Sequence, residues 1–295
     1  MMKIHINGKL HDQKQAKVSV FDHGLLYGDG VFEGIRVYNG RIFQLDEHLQ
    51  RLKKSADAIL LSLPRPLPEI GEAIAQTVRA NGMREAYVRL LLTRGEGDLG
   101  LDMRKCQKGP TLIIIADKIA LYPEDFYEKG LALITSSYTQ RRADQVPATV
   151  KSLNYLLNVL ARAEATRAGA QEAILLNDAG LVTECTGDNI FYVSGGRVCT
   201  PPTTAGLLEG VTRQVVMELV AQHLSHKVQE RDTTPAELAR ADEIFLTGTG
   251  AEVIAGVKLD SRVIGSGKAG PVTKRIIALF RDYARAHGTP IYSDK

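Results

Sequence analysis

Tryptophan is absent from this chain of 295 residues, aromatic residues make up only 6% of it, and cysteine occurs three times, at Cys106, Cys185 and Cys199. Three cysteines without metal-type spacing fit a reducing compartment rather than a disulfide framework. Neither sign of charge predominates. Lysine and arginine number 37 against 34 aspartate and glutamate, a net charge of +3 with no long run of either sign. This speaks against nucleic acid or a membrane surface as partner and leaves room for a small anionic ligand. No apolar run is long enough to cross a bilayer, and the opening MMKIHINGKL has no apolar core behind basic residues. The expectation is a cytoplasmic protein. What the chain does have is 44% hydrophobic residues, enough for one large core or two moderate ones, and its length favours two domains.

Patterning places the elements. The run VFEGIRVY, the pair Asn39-Gly40 and RIFQL make two β runs around the strongest two-residue hairpin signal. Asp46 is expected to cap a helix through DEHLQRLKKSADAIL, in which Leu49, Leu52, Ala56 and Ile59 recur at helical spacing until LPRPLP ends it. A second helix runs to Asn81-Gly82. Next come a strand in EAYVRLLLTRG, a loop in GEGDLGLD, a buried strand in TLIIIADKI and the polar stretch LYPEDFYEKG, where the domain boundary is placed. Beyond it follow LALITSSYT, the segment RRADQVPATV, Lys151, and a helix predicted over SLNYLLNVLARAEATRAGA. The remainder is β-rich: EAILLN, the turn Asp178-Ala179-Gly180, LVTECTGDNIFYV, a Gly195-Gly196 hairpin and EIFLTGTG, interrupted by the helices VTRQVVMELVAQHL and PAELARA. Pro271 suits the first position of a last helix, PVTKRIIALFRDYARA. Helices and strands mix without regular βαβ alternation, so the chain reads as α+β rather than as a Rossmann fold.

Some motifs match by letter and fail by context. Gly95-Glu96-Gly97-Asp98-Leu99-Gly100 fits GxGxxG after a strand, yet LDMRKCQKGP is a poor helix start, and Glu96 and Asp98 would repel a pyrophosphate. GSGKAGPVTK, from Gly265, lacks the spacing of a phosphate loop. His223 and His226 stand three apart near a helix end with no third ligand positioned by sequence, so no metal site is expected.

A lysine flanked by apolar residues, as in Thr149-Val150-Lys151-Ser152-Leu153, reads on its own as a solvated charge. The rest of the chain changes that reading. VKSLNYLLNVLARAEA, EAILLNDAGLVTECTGDNIF, GLLEGVTR, FLTGTGAE and GSGKAGPVTK, in this order, resemble the fold-type IV pyridoxal-phosphate enzymes: branched-chain aminotransferases, D-amino acid aminotransferases and aminodeoxychorismate lyases. The resemblance covers nearly the whole chain, and YGDGVFEGIRVYNGRIFQLDEHLQRLKKSA is similar to the branched-chain aminotransferases in particular. It implies a two-domain fold like that of the D-amino acid aminotransferases. A small α+β domain would span 1–120, an interdomain loop 121–130, and a larger pseudo-barrel domain binding pyridoxal 5′-phosphate 131–295. It also implies a homodimer or a dimer-based oligomer, because family members place loops from a second subunit over the site. GEGDLGLD and LYPEDFYEKG are the segments expected to be mobile.

Residue by residue, the resemblance assigns Lys151 the Schiff base with the cofactor and the proton transfer between substrate Cα and cofactor C4′. An amine does this near neutral pH only if desolvation or cationic neighbours lower its pKa. Glu184 matches the acid that keeps the pyridine nitrogen protonated, so that the ring accepts the carbanion's electrons. Tyr155 matches the tyrosine that hydrogen-bonds the phenolic oxygen, at a spacing from Lys151 one residue shorter than in the longer bacterial branched-chain enzymes, and Leu208 matches the leucine packed on the ring. For the phosphate, Arg51 offers a planar fork, Gly210-Val211-Thr212 a helix N-terminus with a hydroxyl, and Thr249 a further hydroxyl.

Substrate recognition is assigned to two strands. Tyr87 and Arg89 alternate with Val88 and Leu90, and Phe32, Gly34, Arg36 and Tyr38 share one face of their strand. In the branched-chain enzymes the equivalents of Tyr27, Phe32, Gly34, Arg36, Tyr87 and Arg89 line or support the site. Gly34 would leave room for a branched side chain, Tyr87 with Thr249 and the Gly250 N–H would hold the α-carboxylate, and Arg89 would meet the distal carboxylate of glutamate or 2-oxoglutarate. Two positions depart from the pattern: Cys185, where glycine usually follows the glutamate, and Gly250, where alanine is common. The R-x-H carboxylate trap of the D-amino acid enzymes lacks its histidine in TRGEGDLGLD, and a lyase should disfavour the full FEGIRVY and YVR set. The resemblance thus implies transfer of the amino group from L-leucine, L-isoleucine or L-valine to 2-oxoglutarate, with a D-amino acid aminotransferase and then the lyase as alternatives.

Overall fold

The alternating runs and the helical stripes are realised in a computed structural model that describes residues 1–119, 121–142, 144–224 and 227–292; His226 lies outside the described residues. The chain forms two units. One comprises the residues up to Ile119, Val150–Asn154 and those from Ala284 onward, and the other comprises Tyr155–Tyr283 with the stretch that ends at Thr149.

In the first unit β1 (Lys3–Ile6) and β2 (Lys9–Asp12) form a hairpin, followed by the short helix α1 (His23–Tyr27). The strand β3 (Gly30–Tyr38) then turns into β4 (Arg41–Ile42). Asn39 at φ 49° and Gly40 at φ 73° make that turn, because a tight hairpin needs two positive φ angles that this pair adopts at little cost. Next come α2 (Leu45–Ala58), α3 (Leu67–Ala80), β5 (Ala86–Thr93) and β6 (Thr111–Asp117). The expected cap of α2, Asp46, sits instead in its first turn with Glu47, where negative charge suits the helix dipole, and Gln44 takes the cap position. The strands pair antiparallel in the order Thr289–Pro290, β4, β3, β5, β6, β1, β2.

Period two decides what each face of this sheet does. Val31, Ile35 and Val37 join Val88, Leu90 and Leu92 in one buried core with Leu49, Leu52, Ile70, Ile74 and Val78 of the helices. Phe32, Gly34 and Arg36 must therefore point the other way, and the register sets them opposite Leu91, Arg89 and Tyr87.

The second unit opens with α4 (Glu124–Lys129), a helix within the polar stretch read from sequence as a boundary. Then follow β7 (Leu131–Thr139), α5 (Leu156–Arg167), β8 (Glu172–Leu176), β9 (Val182–Cys185), β10 (Asn189–Ser194) and β11 (Arg197–Thr200). The chain continues through α6 (Val211–His223), β12 (Gln229–Glu230), α7 (Pro235–Leu238), β13 (Glu243–Gly248), β14 (Glu252–Leu259), β15 (Arg262–Val263) and α8 (Pro271–Ala286). Sheet order is β12, β11, β10, β13, β14, β7, β8, β9, with β15 added to β14. Only Thr186–Asp188 separate β9, at one end of that order, from β10 near the other, and the Cys185 N–H donates to the Asp188 carbonyl at 2.8 Å. The sheet must curl to bring those strands together, in the manner of a partly closed barrel.

The helix predicted from Ser152 begins only at Leu156. Lys151, Ser152 and Leu153 are held out of a helix because their backbone groups pair with β3: Ser152 bridges Val31, the Phe32 N–H donates to the Lys151 carbonyl at 3.0 Å, and the Leu153 N–H donates to the Gly30 carbonyl at 2.9 Å.

Candidate active site

In the first unit three residues of α2, His48, Arg51 and Ser55, recur at spacings of three and four and so form one stripe. The stripe serves two partners. Ser55 Oγ accepts the Lys151 backbone N–H at 3.1 Å, which together with the Phe32 N–H on its carbonyl clamps the lysine's main chain from both sides. His48 and Arg51 meet Glu33, a carboxylate on the core face of β3 among valine, isoleucine and leucine. Arg51 Nε donates to Glu33 Oε1 and Nη2 to Oε2, each at 2.8 Å, a two-point fork that fixes the guanidinium plane. Glu33 is wholly buried, and burial works to raise its pKa, but Arg51 by charge and hydrogen bond, helped by His48, outweighs that and holds the carboxyl far below the usual carboxylate range. For His48 burial dominates and, with the charges of Arg51 and Lys151, lowers the imidazole below its ordinary 6.5 despite Glu33. A neutral imidazole facing an ionised carboxylate must donate through Nδ1, here at 2.8 Å.

The opposite sheet face is cationic and aromatic. Lys151 Nζ lies 4.6 Å from the centre of the Phe32 ring, and the Arg89 guanidinium lies 4.7 Å from the same ring and 5.4 Å from that of Tyr87. A methyl built at Gly34 would sit 2.1 Å from Tyr87 Oη, so the room that the glycine leaves is taken by the Tyr87 phenol. Arg36 stacks over Tyr38 at 5.1 Å. Tyr27, on α1, engages the loop that matched GxGxxG: its Oη accepts the Gly100 N–H at 2.9 Å, and its ring meets that of His23, whose Nε2 is 2.9 Å from the Asp98 carbonyl. Where a dinucleotide site would start a helix, the chain makes a three-residue 3₁₀ turn, Met103–Lys105, before entering β6.

The second unit gathers the other group. Glu184 is buried, with Oε1 accepting from Gln140 Nε2 at 2.9 Å and Oε2 from Asn189 Nδ2 at 3.2 Å and the Leu208 N–H at 3.1 Å. Gly210 caps α6 without a side chain, so the first-turn N–H groups of Val211 and Thr212 face outward from the helix end. A methyl at Gly210 would strike Asn189 Oδ1 at 2.0 Å. Thr212 is buried, and Thr249 and Gly250 are in the turn from β13 to β14, with Gly250 partly exposed. Tyr155 stands at the cap position of α5, partly buried. Cys185 belongs to the apolar core with Ile174, Val182 and Ile190, and burial above all, then the charges of Glu172, Asp188 and Glu184, raise its thiol pKa well above the ordinary value.

The structure therefore brings Lys151 together with Phe32, Arg89 and Tyr87 on one sheet face, fixes Arg51 behind it, and collects Glu184, Leu208, Val211 and Thr212 in the second unit. Taken unit by unit, these groups fit parts of a phosphorylated pyridine aldehyde: in the first an amine suits the aldehyde and a fixed guanidinium suits an anion, and in the second a helix N-terminus suits a phosphate and a carboxylate suits a ring N–H⁺. Sequence reasoning passed over Glu33, His48, Ser55, Gln140 and Asn189. Glu33 had a signal, a charge at an apolar position of a period-two strand, and His48 and Ser55 shared Arg51's stripe; Gln140 and Asn189 had none. A hollow of about 930 Å³ between α2 and α3, bordered by Leu63–Pro68, takes in none of these residues. Among the described residues no group of three or more His, Cys, Asp or Glu is placed to hold a metal, and no helix is long and apolar enough to cross a membrane.

Comparison with known proteins agrees with this geometry. A protein of Methanocaldococcus jannaschii provisionally named branched-chain-amino-acid aminotransferase is 47% identical over 293 residues, covering 99% of this chain and 100% of that protein. The D-alanine aminotransferase of Bacillus licheniformis is 37% identical over 282 residues, 93% of this chain and 94% of that one. The crystal structure of the branched-chain aminotransferase from the thermophilic archaeon Thermoproteus uzoniensis with norvaline matches with a TM-score of 0.91 at 34% identity, covering 99% of this chain and 99% of that chain. A likeness of that extent establishes the fold as the fold-type IV architecture expected from the sequence. The pattern of the family described as amino-transferase class IV matches residues 30–259, the span from the first residue of β3 to the last of β14 that includes Lys151, Arg51 and Glu184, and the chain belongs to that family.

Proposed function

We propose that this protein is a pyridoxal-phosphate-dependent branched-chain-amino-acid aminotransferase. It passes the amino group of L-leucine, L-isoleucine or L-valine to 2-oxoglutarate in a ping-pong sequence. The observation that carries the reading is the face around Phe32, where an amine and a guanidinium share one aromatic ring beside a tyrosine hydroxyl. Bound pyridoxal phosphate supplies an electron sink for the substrate's Cα electrons.

The protein's own groups do the rest. Lys151 would hold the cofactor through its ε-amine and would carry the proton at substrate Cα; its main chain is clamped by Ser55 and Phe32. Arg51, held by Glu33, and in the second unit the α6 N-terminus, Thr212 and Thr249, would bind phosphate oxygens. Glu184 would keep the pyridine nitrogen protonated, Leu208 would pack on the ring and Tyr155 would bond the phenolic oxygen. Tyr87, Thr249 and the Gly250 N–H would hold the α-carboxylate, and Arg89 would donate to the second carboxylate of the oxo-acid partner, with Tyr27, Phe32, Gly34 and Arg36 lining or supporting the site. The protein acts in the cytoplasm as a homodimer or dimer-based oligomer, without a nucleic-acid or membrane partner.

The test presents L-leucine, D-alanine and aminodeoxychorismate separately to purified protein and follows the cofactor's visible absorption. Conversion by L-leucine is expected, and conversion by D-alanine alone refutes the reading. Lys151→Ala should abolish the lysine-linked band, and a band that survives refutes the lysine's role.

A further inference from the structure

We infer that Gln140 is a positioning residue for Glu184: its amide fixes, in the ionised form, the carboxylate that the proposed function sets against the cofactor's pyridine nitrogen. The inference rests on that proposed function. Gln140 directly follows β7 and is only 3% exposed. Its backbone N–H donates to the Leu176 carbonyl at 2.8 Å, tying it to the last residue of β8. Its side-chain Oε1 accepts the Arg141 N–H at 3.0 Å. That bond settles the orientation of the amide, because with Oε1 on a donor the Nε2 group must face the carboxylate, which it meets at 2.9 Å.

Glu184 is thereby held from three elements: Gln140 after β7, Asn189 on β10 and the Leu208 N–H before α6. These three donors are neutral hydrogen-bond donors, a kind that favours an ionised carboxylate. That is what a counter-ion to a pyridinium requires: a full negative charge at a fixed place. A cationic donor in Gln140's position would offset the carboxylate's charge, and a side chain without an N–H would leave Oε1 without this tie and let the carboxylate turn. Gln140 also begins the stretch QRRADQVPATV that leads to Lys151. Its backbone bond to the Leu176 carbonyl ties it to β8.

The test compares Gln140→Met, which keeps the length and drops the N–H, and Gln140→Glu, which sets one carboxylate against another, with the unaltered holoenzyme. Apoenzyme retitrated with pyridoxal 5′-phosphate gives cofactor affinity. For Gln140→Met the expected results are a cofactor Kd weaker by about tenfold and a kcat for L-leucine lower by about tenfold, with KM within about twofold, the scale of one lost hydrogen bond to a charged group. Gln140→Glu should lose more on both counts, and Gln140→His, which restores an N–H, should recover part of the kcat. The magnetic resonance signal of isotope-labelled pyridine nitrogen should move toward its unprotonated position in the Met and Glu variants, a change that loosened packing alone does not produce. An unmoved nitrogen signal with unchanged cofactor affinity in folded Gln140→Met overturns the inference; if that variant does not fold, the same pair of readings on Gln140→Glu decides. An unaltered protein that forms no lysine-linked band refutes the proposed function itself, whatever Gln140 does.

Discussion

Glu33→Gln is the sharpest perturbation that the first unit offers. It keeps the shape of a wholly buried side chain and removes a charge that answers the Arg51 fork and the His48 N–H, three contacts at 2.8 Å. Glutamine can accept one of these donors through its oxygen, but its own amide must then face another donor. Leaving a buried charge unanswered costs about 3–5 kcal/mol. With one contact retained, the lower end, about 3 kcal/mol, is expected at pH 7, a fall in Tm of roughly 6–10 °C for a protein of this size. Urea unfolding followed across pH is the assay. The sign follows from the depressed folded-state pKa of Glu33: its stabilisation is full above the unfolded value near 4.5 and drains away as pH falls below it. The gap between wild type and variant should therefore be widest near neutrality and narrow in acid. A variant within about 1 kcal/mol of wild type at pH 7, or a gap that does not narrow below pH 4.5, would refute the claim that this carboxylate is an ionised, buried partner of Arg51.

Other perturbations follow from the same geometry. Gly34→Ala places a methyl 2.1 Å from Tyr87 Oη, so the phenol must swing away; kcat/KM for L-leucine should fall by about tenfold at a stability cost of about 1–2 kcal/mol, and an unchanged kcat/KM would show that the seat of Tyr87 is immaterial. His48, with its folded-state pKa lowered chiefly by burial, contributes stability that is present above pH 6.5 and lost as pH falls below it. His48→Gln should therefore flatten the unfolding free energy between about pH 6.5 and 5, leaving the share due to His5, which burial also lowers; an identical slope in the variant contradicts this. Tyr27→Phe removes the acceptor of the Gly100 N–H and should speed proteolytic cleavage within Gly97–Arg104 without moving the global Tm, and an unchanged cleavage rate means that the tie does not hold the loop.

What could be read in advance was what repeats locally. The alternation in VFEGIRVY and YVRLLL became β3 and β5 with the expected faces, Asn39-Gly40 made the expected turn, and the helical spacing of Leu49, Leu52 and Ala56 put those residues in the core. The helix starting late, at Leu156, was not legible. Ser152–Tyr155 have nothing that forbids a helix, and what extends the first of them is pairing with β3, more than a hundred residues away in the chain. α4 is a different kind of miss: Pro123 before Glu124 and Asp125, with Lys129 and Asp125 paired one turn apart at 2.9 Å, is a helix start that the polar composition of the stretch concealed.

The site divides along the same line. Arg51 could be assigned from its resemblance to a family, but why an arginine should stand fixed there depends on Glu33, and Glu33 violates the very pattern that made β3 predictable. A charge at an apolar position of a strand is unfavourable unless something compels it, so the violation itself pointed to a buried partner of opposite charge. Lys151 shows the limit of such reasoning. Nothing in TVKSL separates it from a solvated lysine; its distinction lies in the main-chain bonds to Ser55 and Phe32 and in the ring beneath its amine, all supplied by segments that the local sequence does not contain. A pattern of spacing can reveal which face a residue occupies, whereas a catalytic amine is defined by what other chain segments place around it. For that reason the exceptions to periodicity, Glu33 foremost, are better guides to this candidate site than the lysine's own neighbours in sequence.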